Sequence, residues 1–226
     1  MAVIHHTTLT PGKLELLAAW LPTQPWYRGR DAGPELARAG GFRLDDPDGE
    51  VGIEFMVVTD GPDGPAYLVP MTYRAAPLPD AAGLITTAEH GVLGRRWVYD
   101  GPHDPVLVAQ LAALVQGEAE PQAQRVSQTP DPTVTTGPPV AEVPLAASGD
   151  AAVTSTGEET EIQLPAGAGG LIILHLSRVL RPGDGHGGGA GVSATWQQPD
   201  GTQARGIFVT ARYEPAQAGA TDNDRS

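Results

Sequence analysis

Six histidines, a single lysine and a few clustered carboxylates are the side chains with which this chain of 226 residues could do chemistry. His103 is the one with company, since it follows Tyr99 and Asp100 and precedes Asp104. Asp104 before Pro105 reads as a helix N-cap with proline at the first helical position. That puts His103 at the mouth of a helix, where an imidazole can reach a pocket ligand or hydrogen-bond a loop carbonyl. No nucleophile or paired carboxylate completes a catalytic set around it. His5 and His6 are adjacent, so on a strand they point to opposite faces and would need distant partners to hold a metal; an N-terminal strand is the better reading. Asp45, Asp46, Asp48 and Glu50 crowd a Pro-Gly turn without the spacing of an EF-hand loop, and read as a solvated turn. Gly183, Gly185 and Gly188 match G-x-G-x-x-G. A phosphate cradle, however, needs a strand entering and a helix leaving, whereas this run continues into more glycine and a β-like segment, as a flexible loop would. Lys13 is the only lysine, on a predicted surface helix, so no P-loop exists and any lysine mechanism has one candidate. There is no G-x-S-x-G elbow.

The densest aromatic feature is Trp20 to Gly29, WLPTQPWYRG, which holds two of the four tryptophans and Tyr27 between Pro22, Pro25 and Gly29. Prolines stop the helix there, so Trp26 and Tyr27 fold back onto a core or a partner. Packing is the commoner fate of such residues.

Composition narrows the classes of function. A formal charge of −13 repels phosphate backbones and anionic lipid, which makes nucleic acid and membrane poor partners. The absence of cysteine removes disulfides, zinc–thiolate sites and thiol nucleophiles, and fits a reducing cytoplasm. Neither a signal peptide nor a membrane-length apolar run is visible, so a cytoplasmic protein is expected. The bias of arginine over lysine, with abundant Ala, Gly and Pro, fits a GC-rich genome.

The elements that must position these residues follow from periodicity. Thr10 and Pro11 predict a helix start, and Leu14, Leu17, Ala18 and Leu21 continue it to Pro22. Val51, Ile53, Phe55 and Val57 alternate, then DGPDGP at 60–65 turns into a second strand over Ala66 to Arg74, with Pro70 implying an edge or a bulge. A third strand is expected over Arg95 to Tyr99. A helix follows with Leu107, Leu111, Leu114 and Val115 on one face and Gly117 as its stop. From 118 to 157 periodicity fades into Pro, Thr and Gln, as in a linker. Strands return over Glu161 to Leu164, Leu171 to Leu176, Val192 to Gln197 and Thr202 to Tyr213. The predicted division is 1–117, a linker at 118–157, a β-rich unit at 158–213 and a disordered tail at 214–226.

Three separated motifs resemble the N-terminal cap domain of actinobacterial maltokinases, in that family's order: LAAWLPTQPWYRG (Leu17 to Gly29), LVPMTYR (Leu68 to Arg74) and WVYDGPHDP (Trp97 to Pro105). Farther on, LIILHLSRVLRPGDG resembles the strand and Arg-x-Leu-x-Pro-Gly turn of the aminoglycoside-phosphotransferase-type N-lobe. His175 stands where the family has its nucleotide-binding lysine. Imidazole on a shorter stem does not reproduce an ammonium set against phosphates. The catalytic H-x-D-x-x-x-x-N loop and the magnesium-binding segment are not found either.

The resemblance implies an α+β fold, with a cystatin-like cap (antiparallel sheet packed on one or two helices) followed by a small β-rich unit like a degenerate kinase N-lobe. It implies a non-catalytic pseudoenzyme with a binding or regulatory role, linked to maltose, trehalose, glycogen and α-glucan metabolism. No cofactor or metal is expected, and a protein partner among maltokinases or α-glucan enzymes is. Trp26, Tyr27, Tyr99, Asp100 and His103 form the candidate interaction surface. The alternatives are an ATP-dependent sugar or nucleotide phosphotransferase with an atypical site, and a cap subunit serving a separate kinase in trans.

Overall fold

Antiparallel strands build most of this molecule. The computed structural model describes residues 9–29, 33–80, 82–124, 126, 128–140, 151–183, 185 and 188–216. His5, His6 and the predicted tail beyond 216 lie outside the described residues. In chain order the elements are β1 (Leu9–Thr10), α1 (Lys13–Trp20), β2 (Leu36–Leu44), β3 (Gly52–Asp60), β4 (Ala66–Arg74), β5 (Leu84–His90) and β6 (Gly94–Asp100). Then come α2 (Pro105–Gln116), β7 (Gln122–Ala123), β8 (Thr135–Thr136), β9 (Ala152–Thr156), β10 (Glu159–Pro165), β11 (Leu171–Ser177), β12 (Val179–Leu180), β13 (Gly191–Gln197) and β14 (Gln203–Glu214). The class is α+β, mostly antiparallel sheet with two short α-helices among the described residues.

The main path of the sheet runs β1-β5-β6-β4-β3-β2-β13-β14-β11-β10-β9. Its two halves meet at a single pair, Gly40 with Trp196. Gly40 and Gly41 hold φ of +149° and +122°, and a Cβ on Gly41 would lie 1.9 Å from the Phe55 carbonyl oxygen, so only glycine allows this bulge. A second tie crosses at β12, where Val179 and Leu180 pair with Tyr67 and Ala66 of β4. The stretch 118–157 contributes β7 on β2, β8 on β13 and β9 on β10. Two of these strands are two residues long and the third is polar, so none carries an apolar pattern to read.

Opposite faces of β3 and β4 serve two cores, as period-two geometry demands. Ile53, Phe55, Val57 and Leu68 face Leu107, Leu111 and Leu114 of α2 and, continuously with them, Ile162, Leu174 and Phe208 of the far half. Phe42 stacks on Phe55 at 4.5 Å and contacts Phe208 at 6.2 Å. Met56, Val58, Tyr67 and Val69 face Leu16 and Leu17 of α1 and, after its end, Leu21 and Trp26.

Two local expectations shift. α1 starts at Lys13, with Gly12 as N-cap and its N–H donating to Glu15, because Thr10 is taken by pairing with Glu89 of β5. Pro70 lies in an interior strand. It falls between the residues of β4 that pair β12 (Ala66, Tyr67) and those that pair β6 (Met71 to Arg74), so its missing N–H breaks no ladder on that side.

Candidate interaction site

Three buried carboxylates organise the surroundings of the residues singled out in sequence. Asp100 ends β6, and its two oxygens accept from Arg178 Nη1 and Nη2 at 2.8 and 2.6 Å. Arg178 Nε donates to Thr160 Oγ1 at 2.7 Å, and the guanidinium carbon lies 4.9 Å from the centre of the Trp26 ring. Arg178 is wholly inaccessible to water, as is Trp26. A planar donor fork satisfied on every side by carboxylate, hydroxyl and an aromatic face is the arrangement in which a buried arginine is tolerated. The backbone is tied as well, the Leu68 N–H donating to the Arg178 carbonyl at 3.0 Å.

Asp104 caps α2 by accepting from Val106 N–H at 2.9 Å, and also takes Thr72 Oγ1 and a bidentate Arg74 at 2.6 and 2.7 Å. Those hydrogen bonds from Arg74 to Asp104 hold the guanidinium above its ordinary range. Glu54, the third, faces α1. It accepts from Lys13 Nζ at 2.5 Å, Tyr73 Oη at 2.8 Å, Gln124 Nε2 at 2.9 Å and Arg38 Nη2 at 3.3 Å. Burial works to raise the Glu54 carboxyl, but Lys13, Tyr73 and Arg38 outweigh it and hold it below the usual glutamate range. Burial and the Glu54 charge push the Tyr73 hydroxyl well up. The only lysine is therefore committed to a buried acid rather than displayed on a surface helix.

The five sequence-selected residues divide between the two faces of the sheet. Trp26 is buried edge-on to Trp20 at 5.8 Å and beside Tyr67 at 5.8 Å, and its Nε1 has no acceptor among the described residues. Tyr27 is half-buried and donates to Asp60 at 2.8 Å; burial and that carboxylate raise its hydroxyl. Asp100 lies on the same side. Tyr99, its neighbour on the strand, points the other way, is buried and accepts the Leu78 N–H at 2.8 Å. His103 is half-buried in a groove of about 330 Å³ between the 78–82 loop, the start of α2 and β9. Its ring packs on Gly83, where a Cβ would come within 2.5 Å of Cδ2. Trp26 and Asp100 are thus joined through Arg178, and His103 stands apart.

Arg178 is not among the residues selected from the sequence, although the Arg-x-Leu-x-Pro-Gly turn read there begins with it. Its signal is present in RVLRPG, where an arginine opens a turn right after an apolar strand. The acidic turn differs from a fully solvated one, since Asp46 is buried and accepts the N–H groups of Asp48, Glu50 and Val51. Among the described residues, the element that follows the glycine-rich stretch after β12 is the strand β13, not a helix. On the outer face of β10 and β11, His175 places Nδ1 3.7 Å from Glu159 and Nε2 3.8 Å from Glu161. Among the described residues no group of histidines and carboxylates is placed to hold a metal ion, and no helix is long and apolar enough to cross a membrane.

Compared with known families, residues 20–104 match the maltokinase N-terminal cap domain. The match starts at Trp20 and ends on the helix cap Asp104, so all five selected residues lie inside it and Arg178 lies outside. No curated protein and no solved structure matches the chain.

Proposed function

We propose that this protein is a non-catalytic, cap-bearing binding or regulatory partner of maltokinase-type enzymes, working in the cytoplasm in maltose, trehalose or α-glucan metabolism. The reading takes the cap as cystatin-like, the β-rich second unit as a degenerate kinase N-lobe, and the source as actinobacterial. The observation that carries it is the setting of His175. The residue aligned with a nucleotide-binding lysine sits between Glu159 and Glu161, two carboxylates that oppose a phosphate chain, while the one lysine is paired with Glu54. The cap match over 20–104 supplies the family context. The cap is also a poor candidate for a mobile lid here, since Asp100 and Arg178 bolt it to the second half.

The test is direct. Full-length protein incubated with Mg²⁺·ATP and maltose is expected to form no maltose phosphate and, by calorimetry, to bind no ATP at millimolar concentration. Added to an active maltokinase, it is expected to bind or to change kcat or KM. Phosphorylation of maltose by the chain alone would establish the phosphotransferase alternative and overturn this reading.

A further inference from the structure

Two segments far apart in the chain share one seat, and Tyr67 of β4 is its floor. Trp26 and Tyr27 set their rings against the Tyr67 ring at 5.8 and 5.5 Å, and the Tyr67 hydroxyl accepts the Arg28 N–H at 2.9 Å. The backbone of Tyr67 pairs with Val179 of β12, and the N–H of the next residue, Leu68, donates to the Arg178 carbonyl at 3.0 Å. The loop at 24–29 and the β11–β12 corner at 177–181 thus rest on one strand residue from two directions. Within the loop, Tyr27 folds over Gly29, where a Cβ would overlap its ring, and the Tyr27 N–H bonds the Gln24 carbonyl at 3.1 Å. Such local contacts make the loop move as one piece.

The two segments also grip each other. Inside, the Arg178 guanidinium lies over the Trp26 ring. Outside, Arg28 Nε is 3.1 Å from Glu158 Oε1, and the carbonyl of that glutamate accepts the N–H groups of Arg178 at 2.7 Å and Val179 at 3.4 Å. The inner contact is shut off from water, whereas the side chains of the outer pair are 58% and 27% exposed. Salt therefore weakens the outer grip and leaves the inner one alone. Little regular structure fastens the corner, since β12 is two residues long and runs straight into Arg181 and Pro182. Opening it restores to Arg178 and Asp100 the hydration that both charges lack, which offsets part of the packing lost. Elements held in this way open more readily than the sheet that carries them.

We propose that the 24–29 loop and the β11–β12 corner form a two-part latch that opens as one unit. The aromatic seat of Trp26 and Tyr67 is concealed in the closed form and is bared when both parts leave together. The halves of the molecule stay joined meanwhile through the Gly40–Trp196 pair and the core shared by Phe55, Leu174 and Phe208. The release is therefore local, and the cap does not swing as a lid. Its tension is set by ionic strength through Arg28 and Glu158.

Native-state hydrogen exchange of the full-length protein, read by NMR at low salt and at about 0.5 M NaCl, tests the latch. The amides of Arg28, Leu68 and Arg178 are expected to share one protection factor, about tenfold or more below that of the ladder amides of β3, and to lose protection together as salt rises. Arg28→Ala, a change at an exposed side chain, is expected to lower protection at Leu68 and Arg178 about threefold at low salt and to abolish their salt response. Thr160→Val removes the hydroxyl that Arg178 Nε bonds, and is expected to lower protection at Arg28 about threefold or more, an effect that reaches the loop through Arg178. Protection lost only beside each substitution would overturn the shared unit. So would three amides as protected as β3, or a salt response that survives Arg28→Ala. If Thr160→Val does not fold, Arg28→Ala decides the matter alone.

Discussion

Two carboxylates on the α1 side of the sheet, Glu54 and Asp100, solve the same problem differently. Glu54 collects four donors from four places, and its main cation, Lys13, keeps its side chain 36% exposed. Asp100 has one partner, Arg178, with no exposure at all. The first is as buried as Asp100 but is satisfied by numerous modest contacts, one of them from a partly exposed cation. The second is an interior rivet between the two halves, where neither charge has water to fall back on. A buried pair contributes little over an apolar substitute, yet losing one partner is severe. Cohesion between the halves therefore hangs on Arg178, far more than on any one member of the Glu54 cluster.

The largest effect that would break this contrast is Arg178→Ala. It leaves Asp100 buried without a cation and is expected to cost about 3–5 kcal/mol in urea unfolding. A loss below about 1 kcal/mol would show that the rivet carries no weight. Asp104→Ala comes next, removing a helix cap and the partner of Thr72 and Arg74, with an expected loss of about 2 kcal/mol.

Glu54→Gln should cost less at neutral pH, about 1–2 kcal/mol for weakened charged hydrogen bonds. It also sharpens the comparison through pH. The Glu54 carboxyl titrates lower folded than unfolded, so its contribution is complete above the unfolded value of about 4.3 and fades as pH falls through the lower folded value. Wild type should thus lose stability on acidification below about pH 4.3, and the Gln variant should lose less over the same range. Equal acid slopes by thermal melting would contradict a Glu54 carboxyl held below its unfolded value.

Trp26→Phe should cost about 1 kcal/mol, because the indole N–H has no acceptor to forfeit and a ring remains under Arg178. The smallest effect is expected at His175→Ala, within about 0.5 kcal/mol, since its contacts to Glu159 and Glu161 are long and partly exposed.

Much of the fold was legible where a face is apolar. Leu107, Leu111 and Leu114 announce α2, and Asp104 with Pro105 announces its start. β2 was not legible, because Gly40 and Gly41 fall at its bulge and leave no alternation. β5 was not legible either, since only Ala88 of its residues Leu84 to His90 is buried and four of the seven are polar. For the candidate site, residue types identified Trp26 and Asp100 as unusual but not their shared partner, 78 residues downstream of Asp100.

By itself the sequence determined the class of the fold, the cap motifs, the strand faces of β3 and β4 and the absence of thiol and P-loop chemistry. These follow from local periodicity, residue type and motif spacing. Tertiary structure alone decided that Trp26 stacks on Arg178, that Lys13 is bound to Glu54, that Tyr99 and Asp100 serve opposite faces, and that β9 comes last in the order of the described strands. Each depends on which distant strand lies alongside, a matter settled by packing two cores together and not by any local preference of the chain.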